Sequence, residues 1–143
     1  MWYDGIIKMV LMSPFHQVAS KEMMLITVTG RKSGQVYTLP VSYTQENDQT
    51  LYTLSQREHL WWHNLRNGAL VTLCLRGKVV TAKGRVIEEP NEMFNVMVQW
   101  LQHHPNYAPM IGVKVEPDGE IARDALTEAL DKYVIVETQL LTA

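Results

Sequence analysis

The chain has 143 residues and a formal net charge of −2, enough length for one domain with a proper core and too little positive charge for bulk attraction to nucleic acid. Its one cysteine, Cys74, excludes an internal disulfide, no secretory pattern opens the sequence, and no apolar run approaches the roughly 20 residues that span a bilayer. A single domain over residues 1–143, in a reducing cytoplasm, is the expectation.

Residues 2–20 place Ile6, Ile7, Met9, Val10 and Leu11 closer to helical spacing than to alternation, predicting a short helix that ends before Pro14. Packing against a sheet or barrel is favoured for it over a membrane surface or a partner subunit. His16 follows Ser13-Pro14-Phe15 and reads as a loop residue. Leu25 to Thr29 alternates and predicts a strand, and a second β-rich run covers Val36 to Tyr43. Their link is Gly30-Arg31-Lys32-Ser33-Gly34. Two glycines, two cations and a hydroxyl make a turn whose N–H groups and side chains can converge on an anion, with phosphate the obvious guest. The same composition also suits an ordinary hairpin loop. It is not a P-loop, because a strand follows it and not a helix.

Gln45 to Thr50 is a polar turn into a strand at Leu51-Leu54, whose exit, Ser55-Gln56-Arg57-Glu58, again joins a hydroxyl to an arginine. Arg57 offers a donor fork suited to phosphate, with a surface ion pair to Glu58 as the alternative. Residues 58–67 have helical spacing that sets Trp61, Trp62 and Leu65 on one side, stopped at Gly68. A hairpin follows: Val71, Leu73 and Leu75 face one way, Gly77 turns the chain, and the return strand sets Val80, Ala82, Gly84 and Val86 on one side and Lys83 and Arg85 on the other, leaving Cys74 an ordinary strand residue. Pro90 opens a helix to about His104. Residues 105–119 read as a loop with a brief strand, Ala122 to about Leu130 as a second helix, and Tyr133 to Leu141 as a closing strand. About six strands with hairpin connections and peripheral helices predict a small antiparallel barrel of the α+β class.

Three motifs occur in order: Ser13-Pro14-Phe15-His16, then Gly30-Arg31-Lys32-Ser33-Gly34 with Thr38 and Pro40, then Trp61-Trp62-His63-Asn64-Leu65. Together they resemble the deazaflavin-dependent nitroreductases and quinone reductases of the split-barrel flavin-binding superfamily, to which the pyridoxamine-phosphate-oxidase-like proteins are related. The likeness runs from Ser13 to about Val86. It implies a six-stranded antiparallel split β-barrel whose groove holds a flavin-type cofactor, with the phosphate-bearing tail at the basic loop. Carried over by position, the cofactor-binding residues are Arg31, Lys32, Ser33, Gly34, Thr38, Pro40, Ser55, Arg57, Trp61 and Asn64. Two departures leave the cofactor open between the deazaflavin coenzyme F-420, favoured, and flavin mononucleotide (FMN). Tyr37 stands where the family usually has an arginine, and the link SQREHL is shorter than the Gly-rich segment of relatives.

The resemblance further implies hydride transfer from the reduced cofactor to a small-molecule acceptor, a quinone or nitro compound. No catalytic residue is assigned by it. Tyr107 and Tyr133 are considered as proton sources, though core or loop roles are the ordinary reading of a tyrosine. His59 and His63 stand four apart but lack a third ligand, so no metal is expected. Split-barrel relatives often pair as dimers, so the resemblance leaves a homodimer open to this chain. The rival readings are a split-barrel flavin-binding module without turnover and, last, a nucleic-acid binder using Arg31, Lys32, Arg57, Arg66 and Arg85.

Overall fold

The computed structural model describes residues 23–114, 116, 117 and 120–141. The predicted N-terminal helix and the Ser13-Pro14-Phe15-His16 motif lie outside them. Seven strands form one antiparallel sheet: β1 Met23–Thr29, β2 Val36–Ser42, β3 Thr44–Gln45, β4 Thr50–Gln56, β5 Ala69–Leu75, β6 Lys78–Ile87 and β7 Tyr133–Leu140. Their spatial order is β2-β1-β5-β6-β7-β4-β3.

Only Tyr43 separates β2 from β3, yet these two strands lie at opposite ends of that order. A chain can make that crossing only if the sheet curls until its two edges meet, so this one residue closes the sheet into a barrel. Beyond the crossing, β2 and β4 come within 8 Å of each other, Cα to Cα, without pairing. This unpaired seam is the split, and Pro40, which has no N–H to offer a ladder, sits in its β2 edge. The crossing also corrects the strand count from six to seven: the run predicted as continuous from Val36 to Tyr43 ends at Ser42, and the chain pairs anew at Thr44 on the opposite edge.

The two faces of the sheet bury different cores. The barrel interior holds Ile26, Val28, Leu51, Val71, Leu73, Val134 and Val136, plugged by Trp62 and Leu65. Gly84 of β6 permits that plug, because a Cβ there would stand 3.3 Å from the Leu65 Cδ1. The outer face of β4, β7 and β6 carries helices α1 Pro90–His103 and α2 Arg123–Leu130, with Met97, Trp100, Leu101, Leu126 and Leu130 packed on Ile87 and Ile135. Covered on both faces, β7 reads as an unbroken apolar run at Val134-Ile135-Val136. Helix α1 starts on the Glu89 carboxylate, which accepts from the N–H groups of Asn91 at 3.0 Å and Glu92 at 2.8 Å.

Two local predictions are corrected. Residues 58–67 form only a 3-10 turn at Trp61–Leu65, held by i to i+3 bonds such as Arg66 N–H to the His63 carbonyl at 3.3 Å. The Trp61 and Trp62 indole N–H groups are tied back to the end of β4, to Ser55 Oγ at 3.0 Å and the Gln56 carbonyl at 3.3 Å. Within residues 105–119, predicted as a loop with a brief strand, Pro105–Ile111 form a second 3-10 turn, since Pro105 and Pro109 hold the backbone in helical φ.

Candidate functional site

The basic loop joins β1 to β2 just beyond the pair Thr29 and Val36. Its backbone is closed on itself: Gly30 N–H donates to the Gln35 carbonyl and Gly34 N–H to the Gly30 carbonyl, both at 2.8 Å, and Gln35 N–H to Ser33 Oγ at 3.1 Å. Gly34 sits at φ +71°, where a side chain would be strained. These N–H groups already have acceptors and are not free to bind an anion. Arg31 and Lys32 are exposed and make no ion pair among the described residues.

One side chain links this loop to the tryptophan turn. Asn64 Oδ1 accepts from the Arg31 backbone N–H at 3.0 Å, while its Nδ2 donates to the Trp61 carbonyl at 3.1 Å and to the Tyr37 hydroxyl. Tyr37, at the position where an arginine was expected, therefore acts here as an acceptor that orients the Asn64 amide. Trp61, 8% exposed, is held from its other end: its indole N–H donates to Ser55 Oγ at 3.0 Å. Ser55, itself buried, donates in turn to the Gln56 carbonyl at 3.3 Å.

A cleft of about 360 Å³ opens along the split, between Leu39–Ser42 of β2 and Thr53–Gln56 of β4. Trp61, His59, Tyr107 and Tyr133 complete its walls. Flat aromatic surfaces facing a narrow apolar gap with a few polar groups are the ordinary make-up of a site for a planar ligand, and the volume is in the usual range. Thr53, which borders the cleft, keeps its hydroxyl buried beneath the surface, where it has no hydrogen-bond partner among the described residues.

The sequence-derived residues divide in space. Pro40, Ser55 and Trp61 line the cleft. Arg31, Lys32, Ser33 and Gly34 stand on the loop, and Asn64 connects loop to cleft. Thr38 Oγ1 is hydrogen-bonded to Thr27 Oγ1 at 2.7 Å across the β1–β2 pair. Arg57 turns away from the cleft: its Nε and Nη2 donate to the carbonyls of Asp131 at 3.2 Å and Tyr133 at 3.1 Å, and it borders a neighbouring cavity of about 480 Å³ with Glu58 and Lys132. Thr53 and Gln56 were missed as cleft residues, and His59 was considered only as a metal ligand. A signal for Thr53 exists in the sequence: Leu51, Thr53 and Ser55 alternate, so two hydroxyls share an inward face that is otherwise apolar.

Other cations that could serve a nucleic-acid partner are engaged. Arg66 pairs with Glu88 at 2.9 Å, and Arg85 bridges Glu137 at 2.9 Å and Glu92 at 3.0 Å. The hydrogen bond from Arg66 holds the Glu88 carboxyl below its ordinary range. Burial, aided by Glu137 and Glu46, raises the Tyr52 phenol. Burial likewise raises the Cys74 thiol. His63 lies against the Trp62 ring at 4.0 Å, and no three potential metal-ligating groups meet among the described residues.

The sequence profile of the F420H2-dependent quinone reductases matches residues 12–116. The chain belongs to that family. F420 is therefore its family cofactor and oxidoreductase chemistry its family chemistry. No curated protein matches the chain. Among solved structures, the fold of this quinone reductase family member is similar to a chain described as a domain-swapped dimer, at TM-score 0.54 and 19% identity over 96% of each chain. It is similar also to a Listeria innocua protein described as a pyridoxamine 5′-phosphate oxidase, at TM-score 0.51 and 13% identity over 99% of this chain and 95% of that one. A third, Atu2129 of Agrobacterium tumefaciens, matches at TM-score 0.53 and 16% identity over 92% of this chain, which spans 56% of Atu2129. These likenesses establish the split-barrel fold. No described helix is long and apolar enough to cross a membrane.

Proposed function

We propose that this chain is a cytoplasmic oxidoreductase that binds F420 in the cleft of the split and passes hydride to a quinone, with nitro compounds as further acceptors. The observation that carries the reading is the connection of loop to cleft. Asn64 touches both the basic loop and the Trp61 backbone, so a ligand's anionic tail and its ring would be held by one rigid unit.

The donor set fits the cofactor. Arg31 and Lys32 are exposed cations suited to phosphate, and Ser33 and Gly34 shape their loop. Trp61, locked by Ser55, offers a fixed flat wall. When bound, reduced F420 supplies the hydride. The protein's own contribution is to hold the ring, exclude water through Leu39, Val41 and Ile111, and place His59, Tyr107 and Tyr133 where a proton can be delivered to the reduced acceptor. Arg57 supports the wall by fastening the turn before β7. A homodimer belongs to the same proposal.

The test is a titration of the purified protein with F420 and with FMN, followed by mixing with reduced F420 and menadione. Tighter binding of F420 and protein-dependent oxidation of its reduced form are expected. Binding without oxidation would favour a non-catalytic binding module, FMN preferred over F420 would reassign the cofactor, and binding of neither would overturn the reading.

A further inference from the structure

Helices α1 and α2 pack on the outer face of β4, β7 and the end of β6. The other half of that outer face, on β2, β1, β5 and the start of β6, carries neither helix. Alternation against the inward Ile26, Leu73 and Ala82 sets its side chains. Thr38, Thr27, Thr72 and Thr81 stand opposite one another in a row across the four strands. Of the five exposed large hydrophobic side chains among the described residues, Val36, Leu70, Val79 and Leu141, at 46–66% exposure, all flank that row, and Leu60 alone lies off the sheet. The threonine row and the rows beside it hold no carboxylate, and Lys83, opposite Leu70, is their one charge.

An exposed apolar patch of this kind marks a contact surface. Four strands of about seven residues at ordinary spacings make a flat footprint of about 450 Å². Side-chain relief and a rim raise it toward the roughly 800 Å² that each partner gives a standard interface. The charge pattern chooses the occupant. A charged partner finds only Lys83 to pair with, and a membrane surface is held by cations and aromatic rings, which these rows lack apart from that lysine. An identical face met around a two-fold axis brings apolar side chains and threonines onto their like, with no opposed charges except at Lys83. We propose that this face is the contact with a second copy of the chain. Pro40, in the same outer row as Leu25 and Val79, also borders the cleft, so the copy stands at the cleft's β2 rim. The inference rests on the homodimer of the reading above, gives it a surface, and is independent of the cofactor.

Sedimentation equilibrium of the full chain, with thiol labelling of Cys74, tests it. Cys74 is the only cysteine and lies between Leu25 and Val79 on this face. Wild type is expected as a dimer, with labelling that slows as protein concentration rises. Leu70→Lys and, independently, Val79→Lys replace exposed side chains, so circular dichroism should be unchanged. In each, the dimer dissociation constant should rise at least about tenfold and Cys74 should label at the monomer rate. Leu60→Lys, at a comparably exposed leucine off the sheet, should stay dimeric. A monomeric wild type would overturn the proposal; slow labelling at every dilution would then give the face to another part of the same chain, and co-flotation with phosphatidylcholine–phosphatidylglycerol vesicles would give it to a membrane. A dimer that survives both lysines would overturn the face and leave the homodimer. F420 titration of the same wild-type samples keeps the cofactor reading separate, since binding by a monomer, or a dimer that binds no F420, would sink one reading and spare the other.

Discussion

The Trp61 indole N–H points at the Ser55 hydroxyl 3.0 Å away, and this bond joins the exit of β4 to the turn that plugs the barrel. Both side chains are buried, so neither can exchange the bond for one to water. Ser55→Ala leaves the indole N–H unpaired and is expected to lower stability by about 1–3 kcal/mol. It should also alter the Trp61 fluorescence and weaken cofactor binding. Urea unfolding with intrinsic fluorescence checks this, and wild-type stability in the variant would contradict it.

Asn64 joins two pieces of backbone that no ladder connects. Asn64→Ala should cost about 1 kcal/mol per lost bond at most and should free the basic loop from the Trp61 turn. Faster amide exchange at Arg31 is the direct readout, with weaker F420 binding following from it. Tyr37→Phe, which removes only the outer acceptor, should show a smaller form of the same change.

Lys32 and Arg57 should separate binding from stability. Lys32 is exposed and makes no ion pair among the described residues, so Lys32→Ala should weaken F420 binding and flatten its salt dependence without moving the melting temperature. Arg57 fastens two carbonyls, so Arg57→Ala should lower stability by about 1 kcal/mol and leave the salt dependence as it was. A flattened salt dependence in Arg57→Ala would instead assign it to the phosphate.

The Arg66–Glu88 pair sets a pH dependence. Because Arg66 holds the folded-state Glu88 carboxyl below its ordinary range, its contribution is fully present above the ordinary carboxylate pKa. That contribution is lost as pH falls through the depressed value. The urea midpoint of Glu88→Gln should therefore fall below wild type at about pH 7, and the gap should close as pH falls through the depressed value. A gap that persists in acid would contradict the assignment.

Much of the site was legible because it is local. The basic loop between β1 and β2, the inward Val71, Leu73 and Leu75, and the Pro90 start of α1 each follow from turn chemistry or from a period of two or 3.6 residues. The placement of Arg57 was not legible, since its partners lie in the turn before β7, far along the chain. An arginine fork suits a carbonyl pair as well as a phosphate, and only tertiary structure decides between them. The same holds for Trp61, where a five-residue 3-10 turn stands in place of the expected helix, its indole tied back to Ser55 of β4.

By itself, then, the sequence determined a single β-rich domain with a basic loop and a tryptophan turn in the order of its family, because alternation, glycine placement and motif order are properties of neighbours in the chain. Tertiary structure decided that these parts meet. The one-residue crossing at Tyr43 forces the two sheet edges together, and the unpaired seam between β2 and β4 that results is the cleft. The burial of Ser55 and Trp61 beside it is likewise a consequence of the closed sheet.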